Sequence, residues 1–199
     1  MNGVNRGIFR LLPVFLLLFL GVSSCSQKEE RRILVIHSYE ETYAAYPEFN
    51  RMIAGQFEKE KIDADIRTVY LDCESYWEEP ELERMRFLVD SVSRDWRPEV
   101  ILVNEDQATY SLMKCGIQLA KEVPVVFGGV NYPNWGLLKH HPNVTGFHDK
   151  IAFNENISVA KELFGEHVRL FTMLDTTYID RQIRRDAKEQ FKGHKVTGF

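Results

Sequence analysis

Apolar and polar positions alternate along this chain in blocks, and the blocks repeat. Ile33-Leu34-Val35-Ile36 is a continuous apolar run, three of its four residues β-branched. Such a run suits a parallel strand covered on both faces. It ends abruptly in His37-Ser38-Tyr39. After a polar, aromatic loop, Pro47 opens a helix with Phe49, Met52, Ile53 and Phe57 at helical spacing. Residues 64–72 form a second expected strand, with Val69 and Leu71 facing one side and Tyr70 the other. Pro80 opens the next helix, whose stripe is Leu82, Met85, Val89, Val92 and Trp96, ended by Arg97-Pro98.

The pattern then recurs. Glu99–Val103 is an expected third strand ending in Asn104-Glu105-Asp106, and Asp106 is placed to cap a helix carrying Leu112, Met113 and Ile117. Val123–Phe127 is a fourth, ending in Gly128-Gly129-Val130-Asn131, and residues 143–147 form a short strand leaving the sheet. Residues 154–164 predict a helix with Ile157, Ala160, Leu163 and Phe164 inward. Residues 168–174 predict a strand ending in Asp175-Thr176-Thr177, and residues 178–192 a helix built on Ile179, Ile183, Ala187 and Phe191. A last strand is expected from Lys195. Strand–helix alternation of this kind specifies an α/β fold around a parallel sheet. The first sheet is complete in these terms. The second has one strand, one helix and the start of another strand, so a second α/β lobe is expected to be truncated.

The N-terminus follows a different logic. Arg6 and Arg10 precede the apolar run 11–22, then Ser23-Ser24-Cys25 and a charged stretch. This order describes a secretory signal. Twelve helical residues cover about 18 Å, short of the ~30 Å hydrocarbon core, which disfavours a spanning anchor. Val22-Ser23-Ser24-Cys25 also resembles a bacterial lipobox. The expected organisation is a signal peptide over 1–24, a lipidated tether over 25–32 beginning at Cys25, an N-terminal α/β lobe over 33–147, and the start of a second lobe over 148–199.

Composition adds mainly exclusions. With 199 residues, a net charge of -4 and no basic stripe, nothing points to nucleic acid. Three cysteines make no disulfide framework; a Cys73–Cys115 bond is the one alternative to two buried thiols. Nucleotide-binding glycine motifs and the G-x-S-x-G elbow are absent. His140-His141 and His148 lie on loops without metal-ligand spacing, so no metal and no cofactor is expected. A receiver domain needs an acidic cluster after its first strand, where this chain has His37-Ser38.

What remains is a set of polar strand ends facing one crevice. In open α/β sheets ligands bind outside the carboxyl ends of the strands, where strand order reverses. His37, Ser38 and Tyr39 come from the first strand, Asn104 to Asp106 from the third, Gly128 to Asn131 from the fourth, and Asp175 to Thr177 from the facing lobe. Such groups hold a small polar molecule by directed hydrogen bonds. Tyr39, Tyr43, Tyr46, Tyr132 and Trp135 are candidates to stack on it. The competing structural use is helix capping by Asp106 and Thr177 and loop packing by the aromatics.

The segments ILVIHSYE (33–40), PEVILVNEDQA (98–108), VPVVFGGVN (123–131) and NVTGF (143–147) resemble, in order and spacing, the substrate-binding family of ABC-type transport components. The resemblance covers roughly residues 33–199. It implies a periplasmic-binding-protein-like fold with two α/β lobes around a cleft. It also implies ligand-binding positions at Ser38, Tyr39, Asn104, Asp106, Gly129 and Asn131, and no catalytic residue. The wording of the motifs closely resembles the form used as the extracytoplasmic sensor of Bacteroides-type hybrid two-component histidine kinases. The expected function is therefore small-molecule binding or sensing on the periplasmic side of the cell envelope. The expected partners are a small-molecule ligand, the membrane through a lipid anchor, and a kinase region. The alternative partner is a permease, with the chain acting as a transporter's binding lipoprotein. A third class is a hydrolase-like enzyme using Asp106 and His37.

Overall fold

The computed structural model describes residues 30–76, 79–149, 151–169 and 171–192. The signal peptide expected over 1–24, the lipidated Cys25 and the strand expected from Lys195 lie outside the described residues. The described residues from Arg31 onward form one compact unit. It begins directly with β1 (Arg31–His37), so Arg31 and Arg32 belong to the sheet rather than to a tether. There follow α1 (Tyr46–Lys59), β2 (Ala64–Tyr70), α2 (Glu79–Ser93) and β3 (Val100–Asn104). Next come α3 (Asp106–Lys114), α4 (Leu119–Glu122), β4 (Val125–Val130), α5 (Trp135–Leu138) and β5 (Val144–His148). Two helices, α6 (Phe153–Phe164) and α7 (Tyr178–Gln190), complete the described chain.

The five strands are parallel in the order β2-β1-β3-β4-β5. Parallel neighbours need crossover connections, and helices provide them. β1 is an interior strand, and its residues Ile33 to His37 are all buried, as a strand covered on both faces must be. Leu34 and Ile36 register with Ile101 and Val103 of β3. Together with Val69 they face Met85 and Val89 of α2 and Leu112 and Met113 of α3. This is the main core, as the helical stripes predict. On the opposite face α1 lies against His37 and Tyr70. Trp96 closes one end, its indole N–H donating to Asp65 at 2.5 Å and its ring lying under the Arg67 guanidinium.

Several expectations change. Residues 143–147 do not leave the sheet: β5 pairs with β4 as its edge strand. Glycine makes this possible, because a Cβ at Gly146 would overlap the carbonyl and ring of Phe127. Residues 168, 169 and 171–174 are not a strand. Phe171 and Met173 are each 84% exposed, and among the described residues no strand pairs with them. An extended segment without a ladder partner gains nothing from being extended. On α6, Leu163 and Phe164 point outward rather than inward, at 70% and 81% exposure. Among the described residues, the apolar stripe of α6 has no sheet to cover. Cys73 and Cys115 are both free thiols, and Cys115 Sγ–H donates to the Leu112 carbonyl at 3.2 Å. Their burial pushes both thiols up, Cys73 to about 12. His141 is buried rather than solvated, with no hydrogen-bond partner for Nδ1.

Candidate functional site

The strand order places a switch point between β1 and β3, where chain crossovers leave in opposite directions and a crevice opens. A cavity of about 420 Å³ sits there, at the carboxyl ends of β1, β3 and β4. Its size falls within the range of small-molecule sites. Tyr39 and Tyr43 come from the loop after β1, and Tyr46, Phe49 and Met52 from α1. Asn104, Glu105 and Gln107 come from the β3–α3 junction, Gly129 and Asn131 from the end of β4, and Ile179 from α7.

Local chemistry explains how these groups are held. His37 is wholly buried and its ring stacks on Tyr46 with centroids 3.9 Å apart. Its Nε2 meets Asn50 Oδ1 at 2.8 Å and its Nδ1 meets Asn104 Nδ2 at 3.4 Å. An amide oxygen at Nε2 and an amide NH₂ at Nδ1 select the neutral tautomer protonated at Nε2. Burial lowers the His37 pKa, with the Asn50 bond opposing it, so the neutral ring is the resting state. His37 thus orients Asn104 and supports Tyr46 from below.

Ser38 is 0% exposed and does not line the cavity. Its hydroxyl donates to the Asn104 carbonyl at 2.9 Å and accepts from the Ala108 amide at 2.9 Å. It stitches β1 to β3 and to the first turn of α3. Asp106 lies on the cavity wall but does not cap α3; it is the first residue of that helix. Its carboxylate accepts from the Asn131 amide at 2.8 Å and the Tyr132 amide at 3.4 Å, fixing the loop after β4. Burial raises its pKa, and these amide bonds oppose the rise.

Gly129 answers a backbone requirement. β4 slips register against β5 between Phe127 and Val130, and Gly129 has φ +67°. A bulge with a left-handed glycine bends the strand end. A Cβ there would crowd Asn104 Oδ1 at 3.3 Å and Glu105 Cγ at 3.4 Å.

Glu105 is the residue the sequence-based site set leaves out. Its backbone has φ 72° and ψ 172°, a region that only glycine occupies readily. Its carboxylate Oε2 accepts from the Tyr46 hydroxyl at 3.0 Å, and that hydroxyl accepts in turn from the Tyr39 amide at 3.0 Å. Burial raises the Glu105 pKa to about 7, the Tyr46 bond opposes this, and the Asp106 charge adds to it. Burial likewise raises the phenols of Tyr39 and Tyr46 well above their ordinary value, so both remain hydroxyl donors.

Of the six ligand positions implied by resemblance, five surround the cavity: Tyr39, Asn104, Asp106, Gly129 and Asn131. Ser38 lies beneath it. Phe49 and Met52, expected as core, are cavity wall and partly exposed. The only sequence signal for this was that their helix begins one turn after a tyrosine-rich loop at the switch point. Tyr132 and Trp135 lie elsewhere: the Tyr132 hydroxyl donates to Asp186 at 3.2 Å, and Trp135 packs edge-on to His148. Asp175 and Thr177 serve α7, the Thr177 hydroxyl accepting from the Asp180 amide at 3.3 Å. They do not face the crevice from another lobe.

No protein-family model and no curated protein matches the chain. Among solved structures, the chain is similar to the ligand-free, open structure of CD0873, a substrate binding protein with adhesive properties from Clostridium difficile. The identity is 13% and the TM-score 0.51, over 83% of this chain and 54% of that one. The chain therefore spans about half the length of that protein. The likeness is one of fold: an α/β arrangement around a parallel sheet.

Proposed function

We propose that this protein is an extracytoplasmic small-molecule binding or sensing module, with its ligand seated at the carboxyl ends of β1, β3 and β4. The observation that carries the reading is the cavity itself. It sits at the strand-order switch point and combines aromatic walls with directed amide and carboxylate groups. The substrate-binding-protein type of fold supports it. A ligand that touches this lobe and a facing one shifts an open–closed equilibrium by its differential affinity for the closed form. In the sensor version, favoured by the resemblance of the motifs, closure is transmitted to a histidine kinase region. In the transport version the ligand is handed to a permease. A hydrolase using Asp106 and His37 is disfavoured, because His37 is wholly buried on two amides and Asp106 is bonded to two backbone N–H groups.

The test is a thermal-shift screen of the full-length chain against a metabolite library, with hits measured by calorimetry. Ala45→Trp places an indole in the cavity from an exposed position at the start of α1. Hits should lose at least tenfold in affinity in Ala45→Trp and should weaken in Asn131→Ala. Hits that bind Ala45→Trp as well as the parent would overturn the reading.

A further inference from the structure

The charge of the ligand can be argued from what the cavity offers and what it has already used. Among the described residues, its lining contains three carboxylates, Glu48, Glu105 and Asp106, and no lysine, arginine or histidine. Glu48 is ion-paired with Arg51 on the surface of α1. Asp106 is committed to the amides of Asn131 and Tyr132. These contacts matter for anions too. The start of α3 and the loop after β4 hold the backbone N–H groups that would ordinarily receive an anion. Asp106 takes two of them, and the Ser38 hydroxyl takes that of Ala108. These three donors are spent on the protein's own oxygens.

Glu105 differs. It holds a half-buried carboxylate against the cavity, on a strained backbone, bonded through one oxygen to a tyrosine hydroxyl. Beside it lies a run of three tyrosine rings, Tyr39 to Tyr43 at 4.8 Å and Tyr43 to Tyr46 at 4.9 Å between centroids. Aromatic faces attract cations through their quadrupole, most strongly where water is excluded. A carboxylate beside them adds full charge at short range.

Resting on the cavity reading above, we propose that the ligand is a small organic cation, an amine or quaternary ammonium on a flat or apolar body. Its charge lies at Glu105 beside the tyrosine rings, and its body lies toward Phe49, Met52 and Ile179. Because the free carboxyl titrates at about 7, cation binding displaces its proton. The other titratable groups facing the space are Glu48 and Asp106 and the phenols of Tyr39, Tyr43 and Tyr46.

The experiment uses pairs of probes with one ring and opposite charge: phenethylamine against phenylacetate, tryptamine against indole-3-acetate, and choline as a ring-free cation. Each is titrated by calorimetry into the full-length chain, Glu105→Gln and Ala45→Trp. The expected result is that amines bind at least tenfold tighter than their matched acids. That preference should fall severalfold or more in Glu105→Gln, whose melting temperature reports that it is folded. Affinity for tryptamine should rise severalfold from pH 6 to pH 8 in the parent and stay flat in Glu105→Gln. Acids binding as well as amines, or an amine preference that survives in Glu105→Gln, would overturn the proposal. If acids bind and Ala45→Trp blocks them, the charge assignment falls and the cavity reading stands. If no probe binds, the cation proposal falls, and the library screen decides the cavity reading separately.

Discussion

Glu105 spends backbone energy to put a carboxylate where a glycine would rest comfortably. At φ 72° and ψ 172° the strain on a residue with a side chain is of order 1–3 kcal/mol. Glu105→Gly and Glu105→Ala both delete the carboxylate and the Tyr46 bond, and they differ chiefly in that backbone. Glycine should therefore be the more stable of the two by about 1–2 kcal/mol, measured by urea unfolding, reversing the usual order of alanine over glycine. The same carboxyl has a pH signature. Its pKa rises from an ordinary 4.5 to about 7 on folding, so the folded state holds the proton more tightly. The associated stability is fully present below about 4.5 and is lost as pH rises through about 7. Relative to Glu105→Gln, the parent should lose on the order of 1 kcal/mol between pH 5 and pH 8, since solvent screens the partly exposed carboxyl. His37, whose pKa is lowered, acts in the opposite sense, and Asp106 acts in the same sense; both are common to the two proteins. Ser38 belongs to the fold instead. Ser38→Ala leaves the Ala108 amide and the Asn104 carbonyl short of a partner, at a cost of about 1–3 kcal/mol in unfolding free energy.

At the scale of elements, β1 to β4 and α1 to α3 were legible because their apolar spacing reports burial directly, whereas the one-turn helices α4 and α5 and the pairing of β5 were not. β1, β3 and β4 are short β-branched runs, and α2 and α3 carry stripes that end up in the core. The site was legible as a place for the same reason: polar residues follow each strand, and parallel topology gathers those ends. Its individual residues were not. Sequence cannot tell whether a polar side chain at a strand end turns into the crevice or under it, as Ser38 does. Nor can it show that half the apolar stripe of α1, Phe49 and Met52, borders empty space. Beyond β5 the periodicity misleads, since Leu163, Phe164, Phe171 and Met173 are exposed and, among the described residues, meet no sheet. α7 is anchored, through Tyr178 against Tyr110, Tyr132 to Asp186 and the buried Ala187. Amide hydrogen exchange should accordingly be slowest in β1 and β3, intermediate in α7 and fastest in α6. Protection of α6 equal to that of β1 would contradict this.

At the scale of the molecule, the five-stranded sheet has a cavity at its switch point, and the chain spans about half the length of a solved substrate binding protein that it resembles in fold. The proposed compartment rests on the sequence of the N-terminal segment. Mass spectrometry of the membrane fraction should show loss of residues 1–24 and an acylated Cys25; an intact N-terminus would remove the lipoprotein assignment.

The central claim is that ligand sits at the carboxyl ends of β1, β3 and β4. A crystal structure of the full-length chain with its tightest calorimetric hit tests it most directly. The account predicts density bounded by Tyr39, Tyr46, Glu105 and Asn131, with Ser38 beneath it and untouched. Density elsewhere on the molecule, with this cavity filled only by solvent, would contradict it.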